Sequence, residues 1–278
     1  MVNGLDAALE FGPIRSHRQT DVEHEALPHS SQYEVSGSGL SLLFRAGERP
    51  EADDIARLVA SARESGLPAM VSHRPASDAG WLEILASGLT FDIRGLAPAE
   101  PTGAVAVEHR FGFEEEGDGG AYEPVELVPS GHIAAGAGLQ PALRTMMGLA
   151  ANLAFELPVT GLYWQPARTL MAPDYFSRMV LNWLGGGAFP ALGLTALLRA
   201  GDGSVASRGL AHFTGQEMQI EGRAGEPPAE TMKLAIRVID HLVRQGLISE
   251  AQGIGTGADA LLFEPSQVGK LVLVWRGE

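Results

Sequence analysis

Helical stripes and short apolar runs follow one another in irregular order along this chain, and that order constrains the fold more than any other feature. Residues 55–62 place apolar side chains at the i, i+3, i+4 and i+7 positions of a helix face. The glycine-rich turn at 200–203 predicts a hairpin between strands at 192–199 and 204–213. Because hairpins interrupt the strict strand–helix alternation of a doubly wound sheet, the sequence predicts an α+β fold with mixed, mostly antiparallel sheets and helices packed on one face. An arrangement of two similar α+β units stays open. The helical spacing recurs in three further predicted helices, at 139–156, 173–185 and 230–245.

The composition divides the chain into three segments. Residues 1–32 are polar, contain three histidines and two prolines, and lack a sustained period, which predicts a loosely ordered tail. Residues 33–100 are predicted to form a small N-terminal β-α-β-β unit, and the Pro/Glu stretch at 97–101 has the composition of a linker. Residues 101–278 are predicted to form the main α+β domain. The sequence leaves open whether 33–100 folds independently or shares the main sheet.

The chain of 278 residues contains no cysteine and has a formal net charge of −14. Without cysteine there is no disulfide framework, thiolate zinc site, iron–sulfur cluster or cysteine nucleophile. The acidic charge argues against a nucleic-acid or anionic membrane surface, because such partners need a positive field. We therefore expect no metal, no cofactor, no nucleic-acid partner and no membrane partner. The acidic surface fits a basic protein partner, or it simply keeps the chain in solution.

The location of the protein is inferred from its apolar stretches and its basic residues. The N-terminal residues lack the basic and apolar regions of a signal peptide. The most apolar stretch, 133–164, is interrupted by two prolines and by polar and charged residues, so we expect no membrane-spanning helix. The 18 arginines and two lysines show the bias of a GC-rich bacterial genome. We therefore expect a cytoplasmic bacterial protein.

Motifs for phosphate binding and for a serine nucleophile are incomplete. Gly136-Ala137-Gly138 precedes a predicted helix, but the Rossmann spacing requires a third glycine where Pro141 stands. The lysine and serine or threonine of a P-loop do not follow either. No Gly-x-Ser-x-Gly elbow occurs. Neither chemistry is therefore predicted.

The densest group of chemically interesting residues lies at the end of the second hairpin strand. In strand geometry Arg208 and His212 share one face, and Gly215 then breaks the strand. His212 and Glu217 could meet across that bend as an acid/base or metal-binding pair, with Arg208 as an anion partner. The alternative is a hydrogen-bonded histidine at a strand end.

Tyr163 and Trp164 form a second group of candidates. They end a predicted strand at 159–164. Two adjacent aromatic side chains at a strand end can form a platform for a ligand, and the alternative is packing in the core or at its rim.

Two stretches carry a family resemblance. The phrase Gly-Leu-Ala-His-Phe-Thr-Gly-Gln-Glu-Met-Gln-Ile at 209–220 is similar to a Gly-Leu-x-x-Phe-Gly-x-x-Glu-hydrophobic signature, with Thr214 where the signature has glycine. The passage at 153–164 resembles the Leu-Pro step that ends on tryptophan in the same family. That family is a bacterial domain of unknown function (number 4261), and the similarity covers residues 104–275. The resemblance implies a cytoplasmic bacterial α+β domain and brings no established activity.

Three hypotheses for the function remain. The first is a non-catalytic binding or protein-interaction module, which fits the absence of a complete catalytic motif and the acidic charge. The alternative is a hydrolase or small-molecule enzyme that uses His212 and Glu217. The third is a structural subunit of a larger assembly. The oligomeric state is not determined by the sequence.

Overall fold

The computed structural model of the protein describes residues 39–64, 69–114 and 121–277. The tail expected at 1–32 lies outside these residues. The predicted fold class is confirmed, because helices pack against two mixed, mostly antiparallel sheets. Within the described residues, no helix combines the length and the apolar character needed to cross a membrane.

The first sheet is built from eight strands of the described residues. These strands are β1 Leu40–Arg45, β2 Ala69–His73, β3 Trp81–Ala86, β4 Leu89–Arg94, β5 His109–Phe111, β6 Tyr122–Pro129, β7 Gly161–Trp164 and β8 Thr169–Met171. Their order is β2-β3-β4-β6-β1-β7-β8-β5, and neighbours are antiparallel except for β5 and β8.

Alternation of side chains decides which face of this sheet is packed. In β1, Leu40, Leu42 and Phe44 point into the main hydrophobic core, whereas Leu43 points to the other face and packs in a small cluster with Tyr163. The helices that accompany this sheet are α1 Ala52–Glu64, α2 Gln140–Glu156 and α3 Pro173–Leu184. Helix α2 packs on β1, β4 and β6, and α3 packs on α2 and β7, so both helices bury their apolar stripes in the main core.

The second sheet contains six strands among the described residues. They are β9 Ala196–Arg199, β10 Val205–Arg208, β11 Glu217–Ile220, β12 Gln252–Ile254, β13 Leu261–Pro265 and β14 Leu271–Arg276. Their order is β12-β13-β14-β11-β10-β9, with β11 and β14 parallel. Two single turns, α4 Ala191–Leu194 and α5 Ala211–Thr214, precede the long helix α6 Pro228–Gln245. Helix α6 covers one face of this sheet by packing on β10 and β11.

Strands from residues on both sides of position 100 share the first sheet. Strand β1 pairs with β6 on one side and with β7 on the other. The stretch predicted to be a linker is hydrogen-bonded as well, because Arg49 Nη1 donates to the carbonyls of Gly95 and Ala99 at 2.6 and 2.8 Å. The question that the sequence left open is therefore answered for the described residues: those of 33–100 share a sheet with the rest.

The hairpin at 200–203 is confirmed, but both of its predicted strands are too long. Strand β9 begins only at Ala196, because α4 occupies the preceding residues, and β10 ends at Arg208. After β10, Gly209 adopts φ +90°, which turns the chain out of the sheet and into α5. The expectation that Arg208 and His212 share one strand face is therefore wrong.

Candidate functional site

The Glu217 carboxylate occupies a loop of backbone amides that leads into α5. Its Oε1 accepts hydrogen bonds from the amides of Gly209 and Ala211 at 2.8 and 3.2 Å, and its Oε2 accepts one from the amide of Leu210 at 3.2 Å. Ser207 Oγ donates a fourth at 2.5 Å. Successive amides that converge on one point form an anion-binding concavity. In this protein the chain's own carboxylate fills that concavity.

Two glycines explain why the local sequence folds into this loop. Gly209 has φ +90°, and a Cβ at this position would lie 3.0 Å from the Cβ of Ala167, so a side chain here is both strained and crowded. Gly215 has φ +84° and reverses the chain after α5, which returns Glu217 to the amides. The residues of the resemblance at 209–220 thus form one structural unit.

His212 lies in α5 and packs among aromatic rings. Its ring centroid is 5.0 Å from that of Trp164 and 5.8 Å from that of Phe213, both edge to face. Its Nε2 is buried and has no hydrogen-bond partner among the described residues. Burial disfavours the charged imidazolium and lowers the pKa of His212 from 6.5 to about 4. His212 is therefore neutral at pH 7.

The structure does not join the three predicted catalytic candidates into one group. The donors to Glu217 are Ser207 and three backbone amides, and His212 is not hydrogen-bonded to it within the described chain. Arg208 instead donates to Glu108, which also accepts a hydrogen bond from Arg168 at 2.5 Å. These two guanidinium groups, Arg168 first, lower the pKa of Glu108. The acid/base pair predicted at 212 and 217 is thus not formed, because Glu217 takes its hydrogen bonds from Ser207 and the backbone amides, whereas the His212 ring packs against Trp164 and Phe213.

The two aromatic candidates at the end of β7 lie on opposite faces of the first sheet, and both are buried. Trp164 is fully buried in the main core, where its Nε1 donates to the carbonyl of Leu194 at 2.9 Å. Tyr163 is 4% exposed, its hydroxyl donates to the carbonyl of Ala106 at 3.0 Å, and burial raises its pKa. Both rings therefore pack in the interior, which was the alternative to a ligand platform, and neither offers a surface to a ligand.

A groove of about 500 Å³ opens between α6 and the β12–β13–β14 end of the second sheet. The helix residues that line it are spaced i, i+3, i+4 and i+7, so they belong to one helix face. We call this site the α6 groove. The α6 groove is lined by Leu234, Arg237, Val238 and His241 of the helix and by Arg223, Ile254, Asp259, Leu261, Phe263 and Arg276 opposite them.

Three arginines converge on the α6 groove, although the chain as a whole carries a net charge of −14. Arg276 is fixed by a bidentate ion pair with Glu226, at 2.6 and 2.9 Å. Arg223 donates to a backbone carbonyl just after β14. Arg237 is exposed and makes no hydrogen bond or ion pair with any described residue. The groove therefore combines two guanidinium groups that the chain engages with one that is uncommitted.

His241 adds an unsatisfied polar atom to the same groove. Its ring centroid lies 5.4 Å from that of Phe263, and its Nε2 is buried without a hydrogen-bond partner in the described part of the chain. Such an atom destabilises a folded protein by about 1–3 kcal/mol. The periodicity at 230–245 predicts a helix but does not by itself predict this site. The available signal was the shared helical spacing of Leu234, Arg237, Val238 and His241.

The other face of the second sheet presents a row of side chains that runs across five strands. Cross-strand partners in register are Leu198 with Ala206, Ala206 with Gln219, Gln219 with Leu273, and Leu273 with Glu264. Two residues farther along β14, Trp275 is 42% exposed and lies opposite Leu262, which is 39% exposed. Leu198, Leu271 and Leu273 belong to neither hydrophobic cluster of the described residues. We call this surface the open face.

A second cavity, of about 440 Å³, lies beside β3 and β4, and Asp92 and Arg94 in its lining pair with each other. Asp92 lines it and accepts hydrogen bonds from Ser130 Oγ at 2.5 Å and from Arg94 Nη2 at 2.6 Å. Because its carboxylate and its guanidinium pair internally, this cavity offers a ligand less than the α6 groove does.

No protein-family model matches this chain, and no match was found among curated proteins or solved structures. Within the described residues, no group of three or more histidine, aspartate or glutamate side chains is placed to hold a metal ion. The assignment of a function therefore depends on the surfaces described above.

Replacing Glu226 with glutamine is expected to remove a pH-dependent contribution to stability. Hydrogen bonds from Arg276, followed by one from Thr231, lower the pKa of Glu226 from 4.5 to about 2. Because the folded-state pKa is depressed, the contribution is complete above pH 4.5 and is lost as the pH falls toward about 2. For this partly buried pair we expect E226Q to lower the free energy of unfolding at pH 7 by about 1–2 kcal/mol, measured by urea denaturation.

The matched control for this prediction is Glu230→Gln, which breaks an exposed ion pair with Lys233 on the same helix. That change should alter the free energy of unfolding by no more than about 0.5 kcal/mol. A difference between wild type and E226Q that stays constant from pH 7 to about pH 2.5 would show that the Arg276 pair does not shift the titration of Glu226.

Proposed function

We propose that this protein is a non-catalytic interaction module that docks a protein partner on the open face. The observation that carries the proposal is the continuous row of Leu198, Ala206, Gln219, Leu273 and Glu264 across the second sheet. A sheet with one packed face normally presents polar side chains on its other face. Here leucine and tryptophan side chains stand on the unpacked side. The leucines of the row are half-buried, and the exposed Leu262 and Trp275 lie beside them, so this face presents apolar surface of a kind found at protein-interaction sites.

The charge of the open face specifies the chemistry of the partner. The row ends on the exposed carboxylate of Glu264, which also accepts a hydrogen bond from Trp275 Nε1 at 2.8 Å. Glu221, which directly follows β11, is exposed as well. The row itself contains no lysine or arginine. The proposed partner is therefore a protein with an apolar patch and a basic rim, which complements both the leucines and the net charge of −14.

The absence of a formed acid/base pair supports a binding function over the alternative hydrolase. A general base works best when its pKa lies near the operating pH, whereas the pKa of His212 is about 4. The other member, Glu217, is engaged by four donors. Glu217 instead stabilises the turn that connects β10 to β11.

We further propose membership in the bacterial domain family of unknown function (number 4261) and a cytoplasmic location. Support for the family comes from Gly209 and Glu217, two positions of the signature that the structure joins through a hydrogen bond from the Gly209 amide to the Glu217 carboxylate. Support for the location comes from the N-terminal residues, which lack the basic and apolar regions of a signal peptide.

Site-specific photocrosslinking tests the docking proposal. A photoreactive phenylalanine analogue at position 273 is expected to give one discrete covalent adduct with a heterologous protein in the source cells. The purified partner should then bind the wild-type chain directly. Leu273→Lys places a cation in the centre of the row and should weaken that binding at least tenfold, which is about 1.4 kcal/mol, as measured by titration calorimetry.

Phe155 provides the matched control, because it is 73% exposed and lies at the end of α2, away from the second sheet. The analogue at position 155 should give no adduct with the same protein, and Phe155→Lys should leave the affinity unchanged. Equal adducts from positions 155 and 273, an adduct of the chain with itself, or no adduct at 273 would each overturn the proposal.

A further inference from the structure

The α6 groove lies on the face of the second sheet opposite the open face, so its chemistry is independent of the proposed protein interaction. Val238 and Phe263 are buried, with Phe263 1% exposed, whereas Arg237 is exposed. Because Val238 and Phe263 have almost no exposed surface, the apolar contacts of the groove come from the half-buried Leu234 and Leu261, and Arg237 provides a cation at the opening. This arrangement suits an amphipathic molecule whose apolar end lies inside the groove and whose charged end lies at the opening.

The guanidinium of Arg237 determines the sign and the size of the ligand's charge. Glu226 pairs with Arg276, the Glu221 carboxylate also acts on Arg276, and Asp259 lies in the lining, so the other charges of the groove nearly balance. Arg237 makes no ion pair with a described residue, and a single carboxylate matches it. A guanidinium offers a planar fork of donors that matches a carboxylate, which makes the uncommitted Arg237 the natural anchor.

His241 supplies a second polar contact below this anchor. It follows Arg237 by one helical turn on the same face of α6, and its buried Nε2 lacks a partner among the described residues. The ring packs on Phe263 and so is held beside the apolar floor. A ligand oxygen that reaches this nitrogen would satisfy an atom that the described chain leaves unpaired.

We propose that the α6 groove binds a small amphipathic monocarboxylate, with the carboxylate on Arg237 and the apolar chain against Leu234 and Leu261. The volume of about 500 Å³ lies in the range of small-molecule sites. Neither half of such a ligand suffices by itself, because the opening provides the charge contact and the floor provides the apolar contact.

Titration calorimetry with three probes tests the proposal on the full chain. Octanoate has both the carboxylate and the apolar chain, octanol lacks the charge, and acetate lacks the chain. We expect octanoate to bind saturably and at least about tenfold more tightly than either octanol or acetate. No saturable binding of octanoate up to about 5 mM, or equal affinity for octanol, would overturn the proposal.

Two substitutions on α6 test whether octanoate binds in the α6 groove. Arg237→Gln removes the proposed anchor, and it should fold normally because Arg237 makes no hydrogen bond or ion pair with a described residue. We expect this variant to bind octanoate at least about tenfold more weakly. Arg244→Gln removes the same charge from the same helix outside the α6 groove, where Arg244 pairs with Asp240, and should leave the affinity unchanged. If both variants lost the same affinity for octanoate, the binding would come from general electrostatic attraction, and the proposed site would be wrong.

Discussion

Replacing Glu217 with alanine is expected to lower the free energy of unfolding by about 3 kcal/mol, because one carboxylate satisfies four donors at the join between β10 and α5. Its removal leaves the amides of Gly209, Leu210 and Ala211 and the hydroxyl of Ser207 without their acceptor. Hydrogen bonds to a charged group contribute about 1.5–3 kcal/mol each, and they add less than fully because water reaches part of the loop. Urea denaturation at pH 7 measures the effect.

Glu217→Gln tests how much of this stabilisation comes from the negative charge of the carboxylate, because glutamine has nearly the same shape without the charge. Glutamine keeps one acceptor oxygen in the concavity, so we expect about half of the alanine effect. Glu221→Ala is the matched control, since Glu221 is exposed and its own amide bonds to Val274 through the backbone. That control should change stability by no more than about 0.5 kcal/mol. If alanine at 217 and at 221 had equal effects, the carboxylate would not be holding the turn.

Acidification is expected to destabilise the wild-type protein relative to His212→Phe. The pKa of His212 is 6.5 when unfolded and about 4 when folded, so the unfolded chain binds a proton that the folded chain excludes between these values. Stability therefore falls as the pH drops from 6.5 toward about 4, by up to about 3 kcal/mol. Phenylalanine keeps a ring against Trp164 and Phe213 and cannot take up a proton.

The pH range above 7 provides the control for the comparison of wild type with H212F. Above pH 7 the histidine is neutral in both states, so the difference between wild type and H212F should not depend on pH there. Below pH 6.5 the wild type should lose stability faster, with a limiting slope of one proton. A constant difference from about pH 8 to about pH 4.5 would show that burial does not hold His212 neutral.

The elements that the sequence predicted well are those whose signals are local. The helices α2, α3 and α6 begin and end within a few residues of the predicted bounds, because their apolar stripes, prolines and terminal glycines lie within the segment itself. The same holds for the β9–β10 hairpin, whose turn is encoded at 200–203. In each of these cases the information needed is contained in fewer than about 20 consecutive residues.

The geometry of the predicted site could not be derived from local sequence signals. The sequence grouped Arg208, His212 and Glu217, and it expected a strand and a bend that would bring His212 and Glu217 together. A strand pattern does not reveal that Gly209 takes φ +90° against Ala167, more than 40 residues earlier in the chain. That long-range contact turns the backbone, creates the amide concavity and assigns Glu217 to it.

Composition and periodicity by themselves determined the α+β class, the long helices, the central hairpin and the exclusion of cysteine chemistry. Tertiary structure alone decided that β1 lies between β6 and β7, that Tyr163 and Trp164 are buried on opposite faces, and that Arg237 and Arg276 face one groove. The physical reason is that strand order and helix docking depend on pairings between distant segments, whose free energies appear only when both surfaces are present.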